Sequence, residues 1–474
     1  MTTPMKTLVN QVPTELVLSD PQMTTLQWLR AQGLSGTKEG CAEGDCGACT
    51  CVIAEHRGDA VEFKPVNTCI QFASALNGKA LFTVEGVADG VRLHPLQQAL
   101  VDAHASQCGF CTPGFVMSLW YGAHAKPPQS RQQSMDLLAG NLCRCTGYGG
   151  LLDVADGLGV LPPADWEARL KASVSDALAT LDAPAERFQP GDLKAALELR
   201  RDYPAAQIVA GNTDVGLWVT KRHQHFEQMI QLDRVAELQR VTVTDQAIEL
   251  GAMVTYANAL EHLGDWPSLQ EMIRRIGSTQ VRAVGTLGGN IANGSPIGDS
   301  PPALMALGAD IRLERAGGDR WLALDDFFIE YGRQDLAADE LLTRIRIPRG
   351  DRFFRSYKLS KRFDQDISAV SLGFSCALVD ERIVDPIVAW GGMAGTPVRS
   401  PALEAALTGL KPAQAASVVG CLADDVTPLS DMRASAAYRL HAGQGLVQRA
   451  LLALQGLQPL NLAELSVADL EGGI

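Results

Sequence analysis

The chain carries no positive excess and no long apolar run. Its 41 Lys and Arg stand against 54 Asp and Glu, a formal net charge of −13. That balance argues against a nucleic-acid binder, which would present a basic face. No apolar stretch approaches the length of a membrane span. The first residues, Met1 to Thr7, hold no cationic segment leading into an apolar one, so no secretory signal is expected. The expected location is the cytoplasm, where thiols stay reduced and disulfides are not expected. A Walker A pattern is missing, as is a G-x-G-x-x-G following a strand, so P-loop and Rossmann nucleotide sites lack support. No internal repeat is visible. What remains is a globular composition, 46% hydrophobic and 20% charged over 474 residues, long enough for about two to four domains.

Against these absences stand the cysteines. Eight of the 11 fall early in the chain as two sets of four. The first reads Cys41-x4-Cys46-x2-Cys49, with Cys69 as the fourth thiol; the second reads Cys108-x2-Cys111 and Cys143-x1-Cys145. The x4-x2 spacing is that of a plant-type [2Fe–2S] site. Its loop, Gly40 to Cys49, is rich in glycine, as suits a chain that must wrap a cluster and aim amide N–H groups at sulfur. Structural zinc fits the x4-x2 triplet poorly but is compatible with the second set, so a zinc-binding scaffold without redox activity stays open at this point. Cys51 lies two residues from a candidate ligand and could replace one. Its simpler reading, shared with Cys376 and Cys421, is a small apolar core residue.

The pattern along the chain predicts the surroundings of each set. Residues 6–18 read as a β-hairpin turning at Val12-Pro13-Thr14. Asp20-Pro21 reads as the N-cap and first position of a helix that runs through Trp28 and Leu29 to near Gly33. Val52–Ala54 and Ala80–Val84 read as strands that return from the cysteine loop. A β-grasp, ferredoxin-like domain is expected over residues 1–86. Residues 87–161 read as all-helical, with one helix from His94 through Ala105, a second from Gly114 to about Ala123 and a third leading into Gly140. Residues 162–186, rich in Ala, Asp and Pro, read as a linker whose middle, Trp166 to Leu181, can form a short amphipathic helix. A mixed region is expected over 187–350. A final one, over 351–474, has strand-like runs at Ala369–Val379 and Ile387–Trp390 before a helical end.

Two further segments carry a chemical signal. Ile208-Val209-Ala210-Gly211-Asn212-Thr213-Asp214-Val215 is an apolar strand that turns sharply through glycine and asparagine. Thr286-Leu287-Gly288-Gly289-Asn290-Ile291 is a second such turn, with Asp299 shortly beyond it. Glycine pairs let backbone amides converge on a pyrophosphate, and Asp299 is a candidate acceptor for sugar-alcohol hydroxyls. By sequence physics alone each signal is weak, because a glycine-rich turn is more often just a turn.

The cysteine segments Gly36 to Thr50, Gln107 to Gly114 and Gly140 to Tyr148 resemble the cluster motifs of the molybdenum hydroxylases, and the two glycine segments resemble that family's flavin motifs. The order of parts is similar to that of its xanthine dehydrogenase branch. Clusters and flavin share one chain that ends soon after the flavin region, which looks like the small subunit of the bacterial enzymes. The resemblance implies an α+β multidomain chain: a β-grasp ferredoxin-like [2Fe–2S] domain, an all-helical [2Fe–2S] domain, and a vanillyl-alcohol-oxidase-type FAD domain with an α+β C-terminal subdomain. Carried over by residue, Cys41, Cys46, Cys49 and Cys69 would hold the flavin-proximal cluster. Cys108, Cys111, Cys143 and Cys145 would hold the molybdenum-proximal one. Gln107 matches a residue that touches the pterin. Ile208 to Val215, Thr286 to Ile291 and Asp299 would line FAD, with Ile276, Leu341 and Lys358 as further contacts; Ile276 stands where some relatives have an aromatic residue. No catalytic residue is assigned to this chain. The implied activity is electron transfer and NAD+ reduction within an NAD-dependent xanthine dehydrogenase that oxidises hypoxanthine to xanthine and xanthine to urate. The implied partner is a molybdopterin-binding large subunit in an α2β2 heterotetramer, with no nucleic-acid or membrane partner. The same architecture serving another N-heterocycle or an aldehyde is the alternative. Ser360 to Ile367 resembles the segment beside the flavin in the NAD-linked bacterial enzymes.

Overall fold

The computed structural model describes residues 5–457 apart from Asp59 and Ala185. The outermost parts of the first and last expected domains, 1–4 and 458–474, lie outside the described residues. The first domain is a five-stranded mixed sheet. Strands β1 (Met5–Val9), β2 (Val12–Leu16), β3 (Thr50–Arg57), β4 (Ala60–Asn67) and β5 (Ala80–Phe82) lie in the order β2-β1-β5-β3-β4. Only the β1–β5 pairing is parallel. The helix α1 (Thr25–Ala31) buries Trp28 and Leu29 against one face of this sheet. This is the expected β-grasp.

Two local expectations are corrected. The hairpin turns at Asn10-Gln11, both at positive φ (48° and 68°), not at Val12-Pro13-Thr14. Pro13 sits inside β2 opposite Leu8, where an edge strand tolerates its missing N–H. Helix α1 is capped by Thr24 rather than Asp20: the Thr24 side chain accepts from Gln27 N, and the Gln27 side chain accepts from Thr24 N. That reciprocal box satisfies two end donors. Asp20 instead accepts from the backbone N–H of Gln22 at 2.8 Å.

The second domain is helical: α2 (Pro95–Asp102), α3 (Thr112–His124), α4 (Arg131–Leu138) and α5 (Gly149–Asp156). The almost wholly apolar α3 buries Phe115, Met117, Leu119 and Trp120 between β3 and the other helices. Residues 162–186 do not simply span a gap. They form α6 (Leu170–Thr180), whose Leu170, Val174 and Leu178 join the same core. Just before it, the Glu167 carboxylate accepts from Trp120 Nε1 at 2.7 Å and bonds with His94 and His124 at 2.9 and 3.0 Å.

The third region holds a parallel pair, Gln207–Val209 with Met229–Gln231. It also holds a five-stranded antiparallel sheet built on Leu341–Pro348, with Asp310–Arg315 and Ala247–Gly251 as its neighbours. The short helices Thr279–Val284, Leu287–Asn293 and Ser300–Ala306 connect these pieces. The last region is a four-stranded antiparallel sheet from Phe353 to Arg399, with Ala436–Leu454 packed on it. The expected run Ala369–Val379 is the strand Val370–Val379, and Ile387–Trp390 is part of a longer one, Arg382–Gly391. Among the described residues no helix is long and apolar enough to cross a membrane.

Candidate functional site

The first cysteine set closes on itself. Cys41, Cys46 and Cys49 lie on the loop before β3, and Cys69 follows β4, so the β3–β4 pairing returns the fourth thiol to the loop. Backbone N–H groups point at the sulfurs: Cys46 N to Cys41 Sγ at 3.3 Å, Glu43 N to the same sulfur at 3.4 Å, Cys41 N to Cys46 Sγ at 3.4 Å and Gly44 N to Cys69 Sγ at 3.3 Å. Ala42, Gly44 and Gly47 make this possible by adopting positive φ. The thiols also bond one another. Hydrogen bonds from Cys46 and Cys69 hold Cys41 below its ordinary value, and one from Cys69 does the same for Cys49. The donating thiols, Cys46 and Cys69, are pushed up. Cys51 stands apart: it is fully buried, and its sulfur lies 3.4 Å from Thr37 Oγ1.

The second set also converges. Cys111 is the residue before α3, while Cys143 and Cys145 lie between α4 and α5. Burial pushes the Cys111 thiol up to about 12, helped by its hydrogen bond to Cys143. Against the upward push of burial, Thr146 holds Cys143 below its ordinary value through its hydroxyl (3.1 Å) and backbone N–H (3.4 Å). The hydrogen bond to Cys108 pushes Cys145 up. Gln107, Cys108 and Cys145 are exposed, with Phe110 (49%) and Leu142 (44%) beside them in sequence. Among the described residues no group of three or more His, Cys, Asp and Glu side chains is arranged to hold a metal ion. Thiols gathered under backbone amide donors are the chemistry that a two-iron cluster draws on.

The two loops touch. The Leu142 backbone N–H donates to Cys46 O at 2.9 Å, and Asn141 Nδ2 donates to Gly47 O at 3.0 Å.

Beside the first set opens a cavity of about 540 Å³. Of the residues expected to line FAD, Ile208, Ala210 to Val215, Ile276, Thr286, Gly289, Asn290, Asp299 and Lys358 line it. Val209, Leu287, Gly288, Ile291 and Leu341 lie outside its lining. Leu287 and Ile291 belong to the central core, Leu341 and Val209 to smaller ones, and Gly288 packs on Ala252. Asn212 sits at φ 64° and bonds Ile70 O through Nδ2 at 2.6 Å, while its buried Oδ1 has no partner. An orphaned acceptor in a cavity wall fits a bound donor. Asp299 is not a free acceptor. Its Oδ2 lies 2.5 Å from Lys358 Nζ, its Oδ1 accepts from Ser368 Oγ, and Lys358 also donates to Ser368 at 3.1 Å.

Sequence reasoning missed part of the wall: Glu43, Gly44 and Asp45 of the first cysteine loop, and Ile70 next to Cys69, line the same cavity. It also missed Ser368. No local spacing links these residues to the flavin segments; chain folding alone joins them.

Four family models match: a 2Fe-2S iron-sulfur cluster binding domain at residues 8–74, a [2Fe-2S] binding domain at 83–156, an FAD binding domain in molybdopterin dehydrogenase at 183–350, and a CO dehydrogenase flavoprotein C-terminal domain at 355–454. The chain is 28% identical to xanthine dehydrogenase of Emericella nidulans over 86% of its own length and 35% of that protein. It is 31% identical to xanthine dehydrogenase/oxidase of Mus musculus over 75% of itself and 31% of that protein. The chain thus spans about a third of the length of the curated relatives it matches. Among solved structures, a chain of the carbon monoxide dehydrogenase from Hydrogenophaga pseudoflava is similar at 26% identity and a TM-score of 0.53, over 58% of this chain and 99% of that one.

Proposed function

The chain belongs to the molybdenum hydroxylase family, of which it carries two [2Fe–2S] domains and the FAD domain, and from that premise we propose that it is the electron-transfer and NAD+-reducing part of a cytoplasmic xanthine dehydrogenase. The partner would be a molybdopterin-binding chain, in an α2β2 assembly, that hydroxylates hypoxanthine and xanthine. On this reading the parts divide as 1–86, 87–161, 162–186, 187–350 and 351–474. Cys41, Cys46, Cys49 and Cys69 hold one cluster, and Cys108, Cys111, Cys143 and Cys145 the other. When bound, the clusters supply single-electron transfer, and FAD supplies hydride transfer to NAD+.

The observation that carries the reading is the ordering of sites within one chain. The first cysteine loop forms a wall of the flavin cavity. Its other side is bonded to the second loop, and the second loop is exposed at Gln107, Cys108 and Cys145. This chain's residues therefore act as follows. The two loops hold their thiols under backbone amides. The Asn212 carbonyl and the glycine turns receive the flavin, and the buried Lys358–Asp299 ion pair forms part of the cavity wall. The exposed second loop, with Gln107 at its edge, is the face that meets the pterin-bearing chain.

The test is co-purification with the molybdopterin-binding chain, followed by iron and flavin analysis and xanthine-dependent NAD+ reduction. The expected result is about four irons per chain, from two [2Fe–2S] sites, with urate formed by the pair. The lone chain passes electrons from NADH to a dye and oxidises no purine. A pair that oxidises another N-heterocycle, an aldehyde or carbon monoxide but not xanthine moves the substrate assignment. The name of the similar carbon monoxide dehydrogenase keeps that second reading in view. Stoichiometric zinc without iron would overturn the redox reading.

A further inference from the structure

We propose that Gln280 is a positioning residue for electron transfer: reaching out of the flavin domain, it fixes the two cysteine loops in one mutual geometry. The proposal rests on the reading that those loops hold [2Fe–2S] clusters and that the adjoining cavity holds FAD. Gln280 lies in the helix Thr279–Val284, and its neighbours Ser278 and Val281 line the cavity. Its own side chain points the other way, 1% exposed, into the seam between the two cluster domains. There Nε2 stands 3.0 Å from Asn141 Oδ1, 3.1 Å from Thr50 Oγ1 and 3.3 Å from Ser118 Oγ. Three acceptors converge on an amide that has two protons to give.

The acceptors lead straight to the cysteines. Thr50 Oγ1 donates to Gly47 O at 2.7 Å, and Asn141 Nδ2 donates to the same oxygen at 3.0 Å. Gly47 lies between Cys46 and Cys49, and Asn141 lies two residues before Cys143. Between them runs the backbone bond from Leu142 N to Cys46 O. One buried amide from the flavin domain thus ties both loops at a single point.

An apolar residue of the same length would fill this seam without leaving a polar atom unpaired, yet Gln280 Oε1 is buried with no partner. A stability role alone does not call for such a group. A geometric role does. Electron transfer between two centres falls steeply with their separation, and cluster potentials follow the hydrogen bonds to sulfur. Those bonds come from the same loops that Gln280 ties together.

The experiment uses the full chain carrying its clusters and flavin. Gln280→Met keeps the length and removes the amide. Iron and flavin content should match the parent. The midpoint potential of at least one cluster should shift, the magnetic interaction between the reduced clusters should change in the electron paramagnetic resonance spectrum, and equilibration of electrons between clusters and flavin should slow severalfold. Asn141→Leu should give the same changes, and the double variant no more than either alone, because both act through one junction. A Gln280→Met protein that melts lower but keeps the parent potentials and magnetic interaction overturns the proposal. If that variant does not fold, Gln280→Asn retracts the amide by one methylene; an unaltered spectrum and unaltered potentials there overturn it equally. Two cluster signals missing from the parent chain would instead sink the reading on which the proposal rests.

Discussion

Replacing Asp299 by alanine strands a buried cation. Lys358 Nζ lies 2.5 Å from Asp299 Oδ2, and the two side chains are 1% and 7% exposed. Ser368 bonds both partners, so the substitution leaves an ammonium with one hydroxyl for company. Breaking one side of such a buried pair costs about 3–5 kcal/mol. A domain of the flavin region's size loses roughly 2–4 °C of melting temperature per kcal/mol, so its transition should fall by about 6–20 °C. Removing both charges, as in Asp299→Ala with Lys358→Met, should cost less than Asp299→Ala alone. The competing account makes Asp299 only an acceptor for hydroxyls of the bound flavin. Its loss would then cost about 1–3 kcal/mol, and only with flavin present. Calorimetry on flavin-loaded and flavin-stripped protein separates the two, with the flavin-to-protein ratio read by absorbance. Equal melting of parent and Asp299→Ala in the stripped form would refute the ion-pair argument. So would a double variant as destabilised as the sum of the singles.

Cys143→Ser should remove one of two cluster signals from the paramagnetic resonance spectrum of the reduced protein and leave the other, because the two donor sets sit in separate local structures; Cys51→Ser should leave both, and a Cys143→Ser protein with both signals intact would remove Cys143 from the ligands. Gly47→Ala should lower iron content at both sites: φ is 69°, and a Cβ would press on Gly140 O and lie 2.6 Å from Asn141 Nδ2, forcing apart two loops that the fold holds in contact. Full iron occupancy in that variant would mean that the contact is dispensable. Glu55 predicts an acid limb. Burial pushes its carboxyl up, but Lys79 and Lys64 (3.2 and 2.5 Å) outweigh burial and hold it at about 2 against 4.5 when free. A depressed carboxyl stabilises fully above its unfolded value and loses that contribution as pH falls from 4.5 toward 2, here up to about 3 kcal/mol. Stability measured across that window should fall less steeply with acid in Glu55→Gln, and an unchanged slope would count against the clamp.

Local chemistry was legible where a short segment decides it. The cysteine loop was readable because wrapping sulfur with amides demands glycine within a few residues. The β-grasp was readable from alternation and return strands. Errors came where two local signals competed. Val12-Pro13-Thr14 offered proline as a turn former, but the left-handed pair Asn10-Gln11 makes the turn and an edge strand absorbs the proline. Asp20-Pro21 offered a cap, but Thr24 and Gln27 close the reciprocal box. Within 162–186, whose composition reads as a linker, the amphipathic helix expected between Trp166 and Leu181 is present as Leu170–Thr180. Its Leu170, Val174 and Leu178, every fourth residue, lay that segment on the ferredoxin-like domain.

The site itself was legible in pieces and not as a site. Asp299 and Lys358 are 59 residues apart, and Asn212 and Ile70 are 142 apart. No periodicity reaches that far. Gly216 shows what kind of information is missing. In sequence it only follows a glycine-bearing turn. In the fold it begins a helix, Val215–Thr220, at ordinary negative φ, so conformational freedom does not explain it. The explanation lies across the domain boundary: a Cβ there would strike Ile70 O, the carbonyl that also receives Asn212. The missing side chain lets the flavin segment press directly on the backbone next to Cys69. A bulkier residue at 216 would leave both motifs intact to any local reading while moving the proposed flavin cavity away from the first cysteine set, and the distance between those two sites is what the proposed electron relay depends on.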